Sequence, residues 1–176
     1  MQDTSIRSAV ASDAAAIAEI YNHYVRTSTA TFDTEEKSAE DRAAWLADHA
    51  DRYPVVVAES PDGTIVGWGS LSPWGTRCAY RLSVEISAYI APDNIAQGLG
   101  SAISRVLIDE ARRLGHHAIV SQIVSENGPS LKMAERLGFR NVGTLREIGR
   151  KFDRWLDVVL MELVLEDSGS HLESLR

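Results

Sequence analysis

The sequence predicts an α+β fold, one mixed and mostly antiparallel sheet with helices on both faces, and three observations carry that reading. Two helical patterns precede the first long strand. A Pro-Asp-Gly turn then joins two strand-like runs into an antiparallel hairpin. Further on, a strand passes through a glycine-bearing loop into a helix and out to another strand, the order of a parallel crossover. With 176 residues the chain has the length of one domain, placed at 1–166, and the polar stretch 167–176 reads as a loose C-terminal tail.

The elements follow in order. Ile6–Val10 is a short strand. Asp13 to Arg26 sets Ile17, Ile20, Tyr21 and Tyr24 on one helical face, with Ser12 or Asp13 available as N-cap. Ser38 precedes a second helix bearing Trp45 and Leu46. Between the helices, Thr27 to Thr34 is rich in hydroxyls and β-branched residues, which resist helix continuation, and carries one large apolar side chain, Phe32. Pro54–Glu59 and Thr64–Leu71 are strands joined by Ser60-Pro61-Asp62-Gly63. After the loop Ser72-Pro73-Trp74-Gly75, the run Ser83–Ile90 alternates, so Glu85, Ser87 and Tyr89 face away from the aliphatic row Val84, Ile86, Ala88 and Ile90. Ser101 to Leu114 repeats Ile103, Leu107, Ala111 and Leu114 at helical spacing and stops at Gly115. Ala118–Val124 is a strand, Pro129–Leu137 a helix closed by Gly138, and two strands around Phe139–Thr144 and Asp157–Leu165 end the domain.

Composition narrows the function. No stretch approaches the roughly 20 apolar residues of a membrane span, so no membrane partner is expected. The N-terminus has no basic run followed by an apolar segment, which points to the cytoplasm. The formal charge of −7 without a basic cluster disfavours nucleic acid and favours a small molecule. Cys78 is the only cysteine. His116 and His117 are adjacent and project in different directions, so no metal site is expected.

The junction from Tyr89 to Ser101 runs from strand through two glycines, Gly98 and Gly100, straight into a helix. That arrangement aims free backbone N–H groups and the positive helix end at one point, a site for phosphate. It lacks the Lys-Ser/Thr of a P-loop, and the third glycine and later acid of a dinucleotide fold. A second segment, Asn127-Gly-Pro-Ser130 through Glu135-Arg136 to Gly138-Phe139, follows the next strand. Together the two segments resemble the acetyl-CoA site of the GCN5-related N-acetyltransferases, a resemblance covering nearly the whole chain. The loop pattern Arg/Gln-X-X-Gly-X-Gly/Ala is matched by Ile95-Ala96-Gln97-Gly98-Leu99-Gly100. It departs at Ile95, where Arg or Gln is usual, and at Ala96, where relatives often have Gly. The resemblance implies acetyl-CoA as co-substrate, held by Ala88, Tyr89 and Ile90, by Ile95 to Ser101, and by Asn127 and Ser130.

Within that superfamily the chain is similar to the phosphinothricin and methionine-sulfoximine/sulfone acetyltransferase group. The matching blocks are Ile20-Tyr21-Asn22-His23-Tyr24 with Thr27-Ser28-Thr29 and Phe32, then Trp74, Arg77, Ala79 and Tyr80, then Glu85, Ser87 and Tyr89, and finally Gly149 to Asp157. The likeness implies acetylation of the α-amine of a small amino-acid analogue, with detoxification as its consequence. Amines are mostly protonated at pH 7, so a base is needed, and the resemblance assigns Glu85, whose burial near Trp74, Tyr80 and Tyr89 would raise its pKa. A backbone N–H near Tyr89 or Ile90 would meet the charge on the thioester oxygen. Ala134 stands where many members carry a tyrosine acid. Arg77 is the choice for the substrate's acidic group, with Phe32, Trp74 and Tyr80 enclosing its side chain. Lys151 to Asp157 would complete the pocket, across a homodimer interface given the apolar Phe152 and Trp155. The alternatives are a glutamate paired with Arg77 or Arg81, a non-catalytic acyl-CoA-binding module, and a protein N-terminal or lysine acetyltransferase.

Overall fold

The protein was analysed as a computed structural model, which describes residues 4–49 and 51–165; the tail expected at 167–176 lies outside them. The strands are β1 (Ser5–Ser8), β2 (Val55–Glu59), β3 (Ile65–Pro73), β4 (Ser83–Ile90), β5 (Ala118–Val124), β6 (Arg140–Lys151) and β7 (Arg154–Val164). They form one sheet in the order β1-β2-β3-β4-β5-β7-β6, in which β4 and β5 run parallel and every other neighbouring pair antiparallel. The helices are α1 (Ala14–Thr27), α2 (Ala39–Asp48), α3 (Leu99–Arg113) and α4 (Gly128–Arg136). Among the described residues no helix is long and apolar enough to cross a membrane.

The period of two in the strands separates the two cores. Val55, Val57 and Trp68 pack with Ile17, Ile20, Tyr21 and Val25 of α1. Val56, Ala58, Val84 and Ile86 pack with Ile103, Leu107, Ile108 and Ala111 of α3. Close approach of α3 to the sheet depends on glycine: a Cβ at Gly69 would stand 2.5 Å from Ile103 Cγ2 and 3.0 Å from Leu107 Cδ1 of α3.

Local expectations hold unevenly. Ser38 caps α2, accepting the Asp41 N–H while the Asp41 carboxylate accepts the Ser38 N–H. Asp13 is the N-cap residue of α1, but its side chain makes no capping bond to the helix. Asp13 instead accepts the Val10 N–H at 2.8 Å and pairs with Arg7 at 2.7 and 3.0 Å, pinning β1 to the helix start. Helix α3 begins at Leu99 rather than Ser101, because Gly98 (φ 82°) already makes the left-handed turn that aims the chain into the helix.

The last hairpin is much longer than its sequence pattern suggested. Lys151 pairs with Arg154, and Phe152 and Asp153 between them have φ of 50° and 57°. Two left-handed residues make the turn whose twist matches the strands, and Phe-Asp lacks the Asn-Gly signature that announces it. Higher up, Arg146, Glu147 and Ile148 together oppose Asp157, a bulge held by the Glu147 N–H donating to the Asp157 carboxylate at 2.8 Å.

Candidate active site

Strands β4 and β5 pair only from Ser83↔Ala118 to Glu85↔Val120. Beyond that point β4 stays with β3 as far as Gly67↔Ile90, and β5 stays with β7 through Val124↔Val158, so the two part. A cleft of about 810 Å³ fills the opening, walled by residues 86–90 on one side and 121–124 on the other. At its far end it is lined by Ile95, Ala96, Gly98, Leu99, Gly100 and Ser101, and along α4 by Asn127, Ser130 and Met133.

The exposed edge of β4 supplies donors to this cleft. The Ala91 N–H reaches back to the Val66 carbonyl at 2.9 Å, and peptide directions alternate along a strand. The Tyr89 N–H therefore points to β3, whereas those of Ala88 and Ile90 point to the cleft. The Ile90 carbonyl on that side accepts the Tyr24 hydroxyl at 2.6 Å, and burial raises the Tyr24 pKa, keeping it a donor. At the far end, the first intrahelical bond of α3 runs from the Ala102 N–H to the Gly98 carbonyl. The N–H groups of Leu99, Gly100 and Ser101 have no partner within the helix, and all three residues line the cleft, an arrangement suited to phosphate.

Twelve coenzyme residues were expected, and the structure brings eleven to the cleft. Gln97 is the exception: its amide turns back to the Asp93 carbonyl at 3.3 Å. Asn127 is also the N-cap of α4, accepting the Ser130 N–H at 3.2 Å.

Glu85 is half-buried at the mouth of the opening. Burial raises its pKa, partly offset by the Gln122 side-chain amide, which donates to Glu85 Oε1 at 3.1 Å. No ion pair to Arg77 or Arg81 is present among the described residues. Gln122 lines the cleft and was not foreseen. The parallel register places it two residues past Val120 on the Glu85 face, so only the pairing of β4 with β5 reveals it.

The residues expected around the acceptor are less gathered. Trp74, Arg77 and Tyr80 belong to the β3–β4 connection, and neither they nor Phe32 line the cleft itself. Arg77 and Tyr80 are exposed, and the Tyr80 ring packs over Gly75. Phe32 lies against the backbone of Gly149 so closely that no Cβ fits there. Ser28, Thr29 and Ala30 reach the cleft instead, where Thr29 Oγ1 donates to Glu126 Oε1 at 2.8 Å. Arg154 completes this group, with two bonds to the Glu126 carboxylate at 2.9 and 3.1 Å. His116 is buried, stacked on Tyr53 with Nε2 2.8 Å from the Arg52 carbonyl, a structural setting. Cys78 is exposed. Among the described residues no group of three or more His, Cys, Asp or Glu side chains gathers to hold a metal.

Residues 6–160 match the family described as acetyltransferase (GNAT) domain. The chain belongs to the GNAT acetyltransferases. It is 41% identical over 164 residues to the L-amino acid N-acyltransferase MnaT of Escherichia coli (strain K12), covering 93% of this chain and 95% of that one. It is 38% identical, again over 93% of this chain and 95% of the other, to the L-methionine sulfoximine/L-methionine sulfone acetyltransferase of Salmonella typhimurium. A phosphinothricin acetyltransferase from Sinorhizobium meliloti, solved in complex with acetyl-CoA, superposes with TM-score 0.90 at 29% identity, with 97% of each chain covered. This GNAT chain is an N-acetyltransferase using acetyl-CoA as co-substrate.

Proposed function

We propose that this acetyltransferase acts by direct transfer on the α-amine of a small amino-acid analogue of the phosphinothricin, methionine sulfoximine or methionine sulfone type, with Glu85 as general base. The relatives' substrates support the class. The observation that carries the mechanism is the position of Glu85, the last residue of β4 that pairs with β5, tied through Gln122 to the opened β5 wall.

Acetyl-CoA would supply the thioester, with residues 86–90 and 121–124 of the splayed strands and the free N–H groups of Leu99, Gly100 and Ser101 as the groups that would hold it. Glu85 accepts a proton from the substrate ammonium, directly or through one water, freeing the nitrogen lone pair. A raised pKa suits that task, because the base must bind the proton tightly enough to take it and still be ionised near neutral pH. The Ile90 N–H, aimed into the cleft, stabilises the negative charge that develops on the thioester oxygen. With Ala134 at the matching position in α4, this chain supplies no tyrosine acid there: as the nitrogen bonds to the acetyl carbon the C–S bond breaks, the sulfur leaves as thiolate, and the second nitrogen proton passes to that thiolate or to water. Arg77 meets the acidic group of the acceptor, and Phe32, Trp74 and Tyr80 surround its side chain.

In this reading residues 1–166 act as one catalytic domain, in the cytoplasm, in detoxification and without nucleic acid or membrane. Two copies associate through the exposed β6–β7 hairpin, where Val142, Ile148, Phe152 and Trp155 are all more than half exposed. Thiol release from acetyl-CoA, measured with the three analogues and a control peptide, tests the substrate class. Turnover of an analogue supports it, and turnover of the peptide alone overturns it.

A further inference from the structure

Lys151 is 4% exposed and forms no ion pair among the described residues, an uncommon state for an ammonium group. Its Nζ donates to the Thr31 carbonyl at 2.7 Å and to the Tyr24 carbonyl at 3.4 Å. Tyr24 lies in the last turn of α1, where the negative end of the helix favours a cation. The Phe152 ring closes over the ammonium, its centroid 5.2 Å away, and Phe152 reaches that place by adopting φ of 50°, a conformation disfavoured for a bulky residue. Burial lowers the pKa of the Lys151 ammonium, and the negative charge of Asp33 partly opposes that fall.

All these contacts converge on one segment. Two residues before Lys151, Gly149 accepts the Phe32 ring on its bare backbone. Thr31 and Phe32 are thus gripped together by β6, and the residues just before them, Ser28 to Ala30, form a wall of the cleft.

We propose that Lys151 is a positioning residue for the acceptor: by holding the carbonyls of Tyr24 and Thr31 it fixes the α1–α2 loop as the wall against which the amine substrate is bound. This rests on the reading of the site as an amine acetyltransferase. The coenzyme end, built from backbone groups of residues 95–101, lies outside the grip.

The test compares wild type with Lys151→Met, which keeps the bulk and removes the charge, and with Gly149→Ala, which keeps the charge and displaces Phe32. Steady-state constants are measured with methionine sulfoximine, and hydrogen exchange is followed over residues 28–33. In both variants the KM for the amine rises about tenfold or more while the KM for acetyl-CoA stays within about twofold. Exchange over 28–33 accelerates, and Lys151→Arg restores part of the amine affinity. An unchanged amine KM, or parallel rises in both KM values, overturns the proposal, as does unchanged exchange over 28–33. Lys151→Gln, read by the same constants and the same exchange, decides the matter if Lys151→Met does not fold. If wild type turns over no amine, the proposed function fails, and the exchange experiment still shows whether Lys151 holds the loop.

Discussion

The side-chain amide of Gln122 donates to Oε1 of Glu85 at 3.1 Å, bridging β4 and β5 where their backbones stop pairing. The bond is made to the charged carboxylate and so opposes the rise in pKa that burial imposes. Gln122→Leu removes it at similar volume. The acid limb of the kcat profile, set by ionisation of the base, then moves to higher pH, and turnover falls more at pH 6 than at pH 8. A pH–rate profile of the variant that overlays wild type contradicts this.

The same raised pKa carries a stability cost with a definite sign. A carboxyl whose folded-state pKa lies above its unfolded value favours folding only while protonated, so its ionisation destabilises the fold as pH rises. Glu85→Gln therefore melts higher than wild type at pH 8, and the difference disappears near pH 4. Thermal melts at the two pH values check it.

Asp13 behaves oppositely. The Arg7 guanidinium, donating to its carboxylate, holds its pKa below the ordinary range, with the Val10 N–H adding to the effect. That contribution is present above the unfolded pKa and is lost as pH falls through the folded one. Asp13→Asn lowers Tm at pH 7, by roughly 2–4 °C for each kcal/mol lost in a chain of this size, and converges with wild type at low pH.

Gly98 sits at φ 82° with nothing within 4 Å of the place a Cβ would occupy. Gly98→Ala meets no protein atom, yet it strains by about 1–2 kcal/mol the left-handed residue that turns the chain into α3 at the cleft. Acetyl-CoA affinity, read by calorimetry, falls about tenfold or more, while the amine KM changes little. Equal affinity shows that the anion does not approach there.

Most of this fold is legible in the sequence because its signals are local. The alternation in Ser83–Ile90, the Pro-Asp-Gly turn and the Gly98 to Gly100 helix entry each follow from a few neighbouring residues. The cleft proposed for the coenzyme inherits that clarity, since backbone geometry builds it. The acceptor side does not. Gln122, Glu126, Arg154 and the buried Lys151 act through partners 28 to 127 residues away, and no periodicity reports such pairs. The long hairpin was hidden because Phe152 and Asp153 take left-handed angles usually left to Asn and Gly.

We propose Glu85 as the base that frees the amine at the opening between β4 and β5. The most direct measurement is kcat of Glu85→Gln with methionine sulfoximine at pH 7, alongside the shift in Tm that acetyl-CoA produces. With Glu85 as base, kcat falls about 10²-fold or more while the coenzyme-induced shift is preserved. A variant that keeps wild-type turnover and an unchanged acid limb contradicts it.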